Sequence, residues 1–173
     1  MLLLEERDAA LARGATVYGE IAGSASTCDA HHITAPSPGG AGAALCMRLA
    51  LQDAGLTASE VRAVNAHGTS TPLNDAAEAQ AVATVFGPGA VPLTSIKGVT
   101  GHSLGAAGAL EAASVLLSFL HRELPPTMGT ERVDPALEAD VVLTPRAWEP
   151  GPTVSNSFGF GGHNGSLVLT PKT

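Results

Sequence analysis

Three short stretches of this 173-residue chain hold the residue types from which chemistry is built: NAHGTSTPLND at 65–75, TSIKGVTGHSLGAAGALEAA at 94–113 and SFGFGGHN at 157–164. In the second, Lys97 is followed five positions later by His102 on a glycine-rich approach to a run of small residues. A helix beginning there offers N-terminal amides with a partial positive charge, which suits thioester, carboxylate or phosphate chemistry. A lysine and a histidine at a helix start are equally compatible with an ordinary surface, so this placement alone decides nothing. His67 closes an apolar stretch and precedes Gly68 and the hydroxyl residues Thr69, Ser70 and Thr71. Open α/β sheets place their working groups at such strand ends. In the third stretch Gly159, Gly161 and Gly162 surround Phe160 and allow main-chain amides to approach a ligand, the alternative being a plain hairpin turn.

These residues need elements to position them. From Ser103 the side chains Leu104, Ala106, Ala107, Ala109, Leu110, Ala112, Ala113, Val115, Leu116 and Leu117 point in every direction, which predicts an interior helix. Gly101, Gly105, Gly108 and Ala112 recur at helical steps and predict a bare face against a close partner. Strands are expected at 61–66, delivering His67, and at 92–96, feeding Lys97. A helix at 75–86 begins at Asn74 or Asp75 as N-cap, with Glu78 in its first turn. Upstream, an apolar strand at 1–4 leads into a helical turn at 5–13 closed by Gly14, then a strand at 16–22, a long loop at 24–38 and a helix at 39–54. Beyond Pro125-Pro126 come a polar connection at 131–139 and strands at 140–143, 154–157 and 165–170.

Composition narrows the function classes. With 45% hydrophobic but only 3% aromatic residues, the core is built of Ala, Val and Leu, which favours packed helices and parallel strands. The net charge of −7 and the lack of a basic run argue against nucleic acid. The apolar run at 1–4 is too short for a signal peptide, and Glu111 near the centre of the 103–120 stretch would cost about 2.5–3.5 kcal/mol in a bilayer, so no membrane span is expected. Cys28 and Cys46 have neither a CxxC partner nor a zinc spacing and read as reduced cytoplasmic thiols. The adjacent His31 and His32 cannot both face one site from a regular element, so no metal is expected there. GGAGAAL at 39–45 lacks the third glycine and the leading strand of a dinucleotide fingerprint.

Taken together, AHGTSTPLND at 66–75, SIKGVTGHSLGAAG at 95–108 and NSFGFGGHN at 156–164 resemble, in order and spacing, the C-terminal half of a β-ketoacyl-acyl carrier protein synthase of the elongating, dissociated type II kind. The resemblance implies a thiolase-like α/β fold with αβαβα layers, this half contributing a mixed five-stranded sheet and a buried Gly/Ala-rich helix. Residues 1–14 would then end an otherwise missing N-terminal half, and residues 15–173 would form the C-terminal domain. The implied activity is a decarboxylating Claisen condensation in fatty acid or polyketide biosynthesis, without a cofactor. By matching motifs His67 and His102 would hold the malonyl thioester oxygen, Lys97 would supply a nearby positive charge, and Glu111 would balance it. Phe160 would be the gate and its amide part of the oxyanion hole, swinging on Gly159, Gly161 and Gly162; Thr69, Thr71, Phe158 and Asn156 would support the site. The implied partners are acyl carrier protein and either an N-terminal half or a second copy of the complete enzyme.

Two departures from that pattern stand out. The nucleophilic cysteine of the resembled family lies in an Ala-Cys-Ser-Ser motif that does not occur here, and the positions matched by Cys28 and Cys46 are not catalytic. His163 stands where many relatives have threonine. Two alternatives therefore stay open: a non-catalytic partner subunit like a chain-length factor, which usually loses the histidines, and a thiolase-type acyltransferase.

Overall fold

The computed structural model describes residues 2–172. Its main sheet has six strands in the order β1-β8-β7-β2-β3-β5. They are β1 (Glu20–Cys28), β2 (Ala63–Asn65), β3 (Pro92–Thr94), β5 (Asp140–Val141), β7 (Thr153–Gly159) and β8 (His163–Thr170). β4 (Glu123–Leu124) and β6 (Arg146–Ala147) form a separate antiparallel pair. The resemblance implied five strands and the sheet has six, the two-residue β5 within the stretch expected as a strand at 140–143 pairing in parallel with β3 at the edge. β1, β8 and β7 run antiparallel, whereas β7, β2, β3 and β5 are mutually parallel neighbours. The parallel part is the buried part: all three residues of β2 are buried, as expected of strands covered on both faces.

The helices are α1 (Arg7–Ala12), α2 (Ala41–Asp53), α3 (Pro72–Phe86), α4 (Lys97–Thr100) and α5 (Ala107–His121). α2 and α3 cover one face of the sheet, where Met47, Ala50, Leu51, Val64, Val82, Val154 and Val168 form the larger core. α5 covers the other face, packing Ala112, Val115 and Phe119 against Leu169. Val168 and Leu169 are successive residues of β8 and enter opposite cores, the period-two signature of a strand between two layers.

Several boundaries differ from those expected. Met1 lies outside the described residues, and Leu2, Leu3 and Leu4 are exposed with no strand pairing. The first strand runs from Glu20 to Cys28 rather than over 16–22, because β8 offers it a partner along its whole length. α3 starts at Pro72 with Thr71 as N-cap, ahead of Asn74 and Asp75. Proline is well suited to a first helical position, where no N–H is needed.

α5 is the largest correction. Its buried residues are Ala107, Glu111, Ala112, Val115, Ser118 and Phe119, while Leu110, Leu117 and Leu120 are 41%, 55% and 61% exposed. Periodicity registers how apolar a helix is but not how many neighbours cover it. Of the small-residue stripe, Gly108 is a close approach, since a Cβ there would lie 3.2 Å from Ser157 Oγ on β7, but Gly101 and Gly105 face open space. An uncovered leucine face promotes association. We expect the isolated chain to form concentration-dependent oligomers in light scattering, and Leu110→Glu/Leu117→Glu to return it to monomer; a wild-type monomer at all concentrations would contradict this.

Candidate active site

β2 and β3 end side by side and release their chains into the two motif loops. The Ala66 amide continues the pairing by donating to Thr94 O at 2.8 Å, after which the chain leaves the sheet at His67. The Ser95 hydroxyl, just beyond β3, donates to Gly68 O at 3.2 Å and ties the loops together. The imidazoles of His67 and His102 consequently meet edge to face, with ring centroids 5.5 Å apart and planes at 82°. His67 is buried and His102 exposed.

Hydrogen bonding fixes both tautomers. Leu104 N–H donates to His102 Nδ1 at 3.2 Å, so the proton of the neutral ring sits on Nε2. Leu104 makes this bond from a left-handed backbone, φ 51°, that a leucine rarely adopts. For His67 the Lys97 ammonium lies 3.4 Å from Nδ1. An ammonium can only donate, so Nδ1 is again the acceptor and Nε2 again bears the proton. Lys97 also donates to the His67 carbonyl and to Glu111 Oε1, and Glu111 Oε2 accepts from Ser157 Oγ at 3.2 Å. Burial, then the Lys97 charge, then His102 lower the His67 pKa to about 3, which keeps this ring neutral.

That shift has a consequence for stability. The unfolded chain protonates His67 near its ordinary value of about 6.5 and the folded chain only near 3, so between these values the unfolded state binds more protons. The stability contributed by the neutral ring is therefore complete above about pH 6.5 and lost progressively as pH falls towards 3. Urea melts from pH 7 to 4 should show a steeper acid loss for the wild type than for His67→Asn; equal slopes would contradict the assignment.

Both rings open on a cavity of about 780 Å³, lined also by Thr69, Thr71, Phe158, Gly159, Phe160, Gly162 and His163. Thr69 and Thr71 hydroxyls lie 2.9 Å apart on its wall. The aromatic ring against His67 is Phe158, at 5.7 Å; Phe160 is 76% exposed at the tip of the turn. Gly161 and Gly162 hold that turn with φ of 83° and 77°, the left-handed region that favours glycine. Gly159 is different: its φ of −150° is ordinary extended backbone and a side chain there would meet open space. Asn156 does not reach the cavity. It is fully buried and donates to Glu78 Oε1 at 3.3 Å while accepting from Ser166 Oγ at 2.8 Å. Neither cysteine lines the cavity: Cys28 Sγ donates to Gly161 O, and Cys46 is buried against the carbonyls of Ala25 and Asn164. His32 is a loop organiser whose Nδ1 accepts the Thr34 and Ala35 amides.

Two further acidic residues matter that motif reading passed over. Asp29 ties the 24–38 segment to the glycine turn: its Oδ1 accepts from Asn164 Nδ2 at 2.7 Å, and its own amide donates to Gly162 O at 2.8 Å. Glu78, expected only as a first-turn carboxylate, is buried beneath His67 and accepts the amides of His67 and Gly68, each at 2.9 Å. The available signal was a glutamate surrounded by alanines that turn out to be core.

A pair of neutral imidazoles sharing a cavity at parallel strand ends, backed by an ammonium, equips an α/β domain to stabilise a developing oxyanion or enolate. The family described as beta-ketoacyl synthase, C-terminal domain, matches residues 18–131. The chain belongs to the β-ketoacyl synthase family. It is 46% identical over 172 residues to the 3-oxoacyl-[acyl-carrier-protein] synthase 2 of Synechocystis sp., covering 98% of this chain and 41% of that protein. The synthase of the same name from Staphylococcus aureus is 43% identical over 173 residues, 98% of this chain and 43% of that one. Among solved structures, a beta-ketoacyl synthase from Burkholderia phymatum superposes with a TM-score of 0.93 at 42% identity, covering 98% of this chain and 41% of its own. A ketosynthase complex, AntDE:AntF, with its type II PKS acyl-carrier protein, gives 0.94 at 32% identity and covers 98% of this chain and 42% of its own. The fold is thus the C-terminal half of the thiolase-like architecture, and the chain spans about two fifths of the length of these relatives.

Proposed function

We propose that this chain supplies the decarboxylation half of a β-ketoacyl-acyl carrier protein synthase site. In this reading residues 15–173 are the C-terminal domain, residues 1–14 are the end of an N-terminal half, and that half brings the acyl-bearing cysteine. Malonyl-carrier protein enters the cavity with its thioester carbonyl between the two Nε2–H donors. The bond to the carboxylate carbon breaks, carbon dioxide leaves, and its electron pair becomes the enolate that the two N–H groups stabilise. The enolate carbon then attacks the acyl thioester, expelling the cysteine thiolate and leaving a 3-oxoacyl carrier-protein thioester. The Thr69 and Thr71 hydroxyls and the 160–162 turn shape the route by which the thioester arrives, and Phe160 moves to admit it.

One observation carries the reading: both Nδ1 atoms already accept hydrogen bonds, leaving each ring a single donor, Nε2–H, at a shared cavity. Neutral donors are what an enolate oxygen needs, and a lone structural histidine would not require a second one 5.5 Å away. The test is to combine the chain with an N-terminal ketosynthase half and measure carbon dioxide release from malonyl-carrier protein. Release followed by 3-oxoacyl product supports the proposal. A stable assembly that releases none would assign the chain to a non-catalytic partner subunit, and acyl exchange without decarboxylation to a thiolase-type acyltransferase.

A further inference from the structure

The loop that carries His67 has one residue that the catalytic cavity leaves out. Thr69 and Thr71 line that cavity, whereas Ser70 between them has a left-handed backbone, φ 60°, and lines a second cleft behind the loop. This cleft lies between α3 and the connection at 129–139. It consists of two cavities, of about 770 Å³ and 420 Å³, which share Ser70, Asp75, Ala79, Asp134 and Leu137 and so run into one another. The larger one opens beside the ends of β2, β3 and β5, where open α/β sheets place ligands. The smaller one continues along α3 as far as Ala83, and the helix from Asp75 to Ala83 rises about 12 Å. Dimensions of this order suit a small molecule or a short extended chain.

Charge along the cleft selects the ligand. Arg132 lines only the larger cavity and makes no ion pair or hydrogen bond with any described residue. By contrast Arg7, Arg13, Arg122 and Arg146 all hold carboxylates. Glu138 lines only the smaller cavity, and Asp134 lines both. Asp134 commits Oδ1 to the Ala136 amide at 2.9 Å and leaves Oδ2 open. Between the charged ends the wall is aliphatic, with Ala79, Leu93, Val133 and Leu137. A lone anion at Arg132 would also meet Asp75, Glu131 and Asp134, and a lone cation at Glu138 would leave the guanidinium unpaired. A ligand with a carboxylate at one end, an ammonium at the other and an apolar body between them satisfies both ends. An extended peptide of three residues spans about 10 Å, close to the reach of the cleft.

We propose that this cleft binds a short aliphatic peptide as a zwitterion, its C-terminal carboxylate on Arg132 and its N-terminal ammonium on Glu138 and Asp134. The site is separate from the decarboxylation cavity, and the assignment does not rest on the function proposed above.

Titrating the chain with the tripeptide Ala-Leu-Ala, followed by amide 1H–15N spectra, tests it. The same peptide acetylated at its N-terminus, and amidated at its C-terminus, supplies the two single-charge controls. Free peptide should bind saturably below about 1 mM, and each cap should weaken binding about tenfold, the loss of one contact to a charged group. Shifts should centre on Ser70, Thr130 and Leu137. The variants should then cross over. Arg132→Met should weaken the free peptide about tenfold and leave the amidated one unchanged. Asp134→Asn/Glu138→Gln should weaken the free peptide about tenfold and leave the acetylated one unchanged. All three side chains are exposed, so both variants should melt with the wild type. Absence of saturable binding overturns the proposal, as does a capped peptide that binds as well as the free one. Shifts centred on Thr69, Thr71 and Phe160, or binding that both variants leave intact, also overturn it. If a variant does not fold, the capped peptides on the wild-type chain decide the matter.

Discussion

Replacing His67 by alanine in the assembled enzyme should slow carbon dioxide release from malonyl-carrier protein by about 10²–10³-fold, and His102→Ala should do the same. Each change removes one donor from an oxygen that gains a full negative charge as the carboxylate leaves. The donors act at a wall that is largely apolar, where a hydrogen bond to a developing charge is worth more than it is in water. Because both rings serve one oxygen, the double variant should lose less than the product of the single losses. Acyl transfer onto the partner half's cysteine, which generates no malonyl enolate, should suffer less in both variants. The measurement is single-turnover carbon dioxide release alongside acyl-enzyme formation by mass spectrometry. Release within about threefold of wild type in either variant would mean that the rings are not the enolate's donors.

Much of this site was legible in the chain because its working residues sit where regular structure stops. His67 and Lys97 follow strands that pair side by side in the sheet, and His102 precedes a helix, so strand and helix signals mark each of the three positions and the pairing of β2 with β3 brings them together. What was not legible depends on contacts between distant segments. Glu78 looks like any early-turn glutamate until β2 delivers two orphaned amides above it. Asn156 belongs to the most distinctive motif in the chain, but the alternation of β7 turns it into the core beneath Glu78 rather than towards the cavity. The left-handed backbone of Leu104 has no composition signal, since leucine is a poor residue for it, and only the His102 ring explains its use. α5 fails in the opposite sense: its sequence reads as an interior helix, yet Leu110, Leu117 and Leu120 are exposed, because an all-apolar pattern carries no information on what covers each face.

Lys97→Ala and Glu111→Ala should each destabilise the fold by about 3–5 kcal/mol, the cost of leaving one buried charge without its partner. The two side chains are only 7% and 2% exposed, so water cannot replace the missing ion. A loss of that size is a large fraction of the roughly 5–15 kcal/mol that holds a typical domain together. Glu111→Ala strands the ammonium beside His67 and releases the Ser157 hydroxyl as well; Lys97→Ala strands the carboxylate within α5. Removing both charges together separates stability from function. Lys97→Met/Glu111→Leu leaves no unpaired ion, and apolar replacement of a buried pair is often neutral or stabilising, so denaturant unfolding should place the double variant well above either single one. It should nevertheless remain inactive. Without the ammonium nothing donates to His67 Nδ1, and the ring is free to place its proton on the wrong nitrogen. Its pKa should rise, but not back to the ordinary imidazole value, because burial is the larger cause of the depression and persists. A double variant that is stable and fully active would show that Lys97 serves the fold alone.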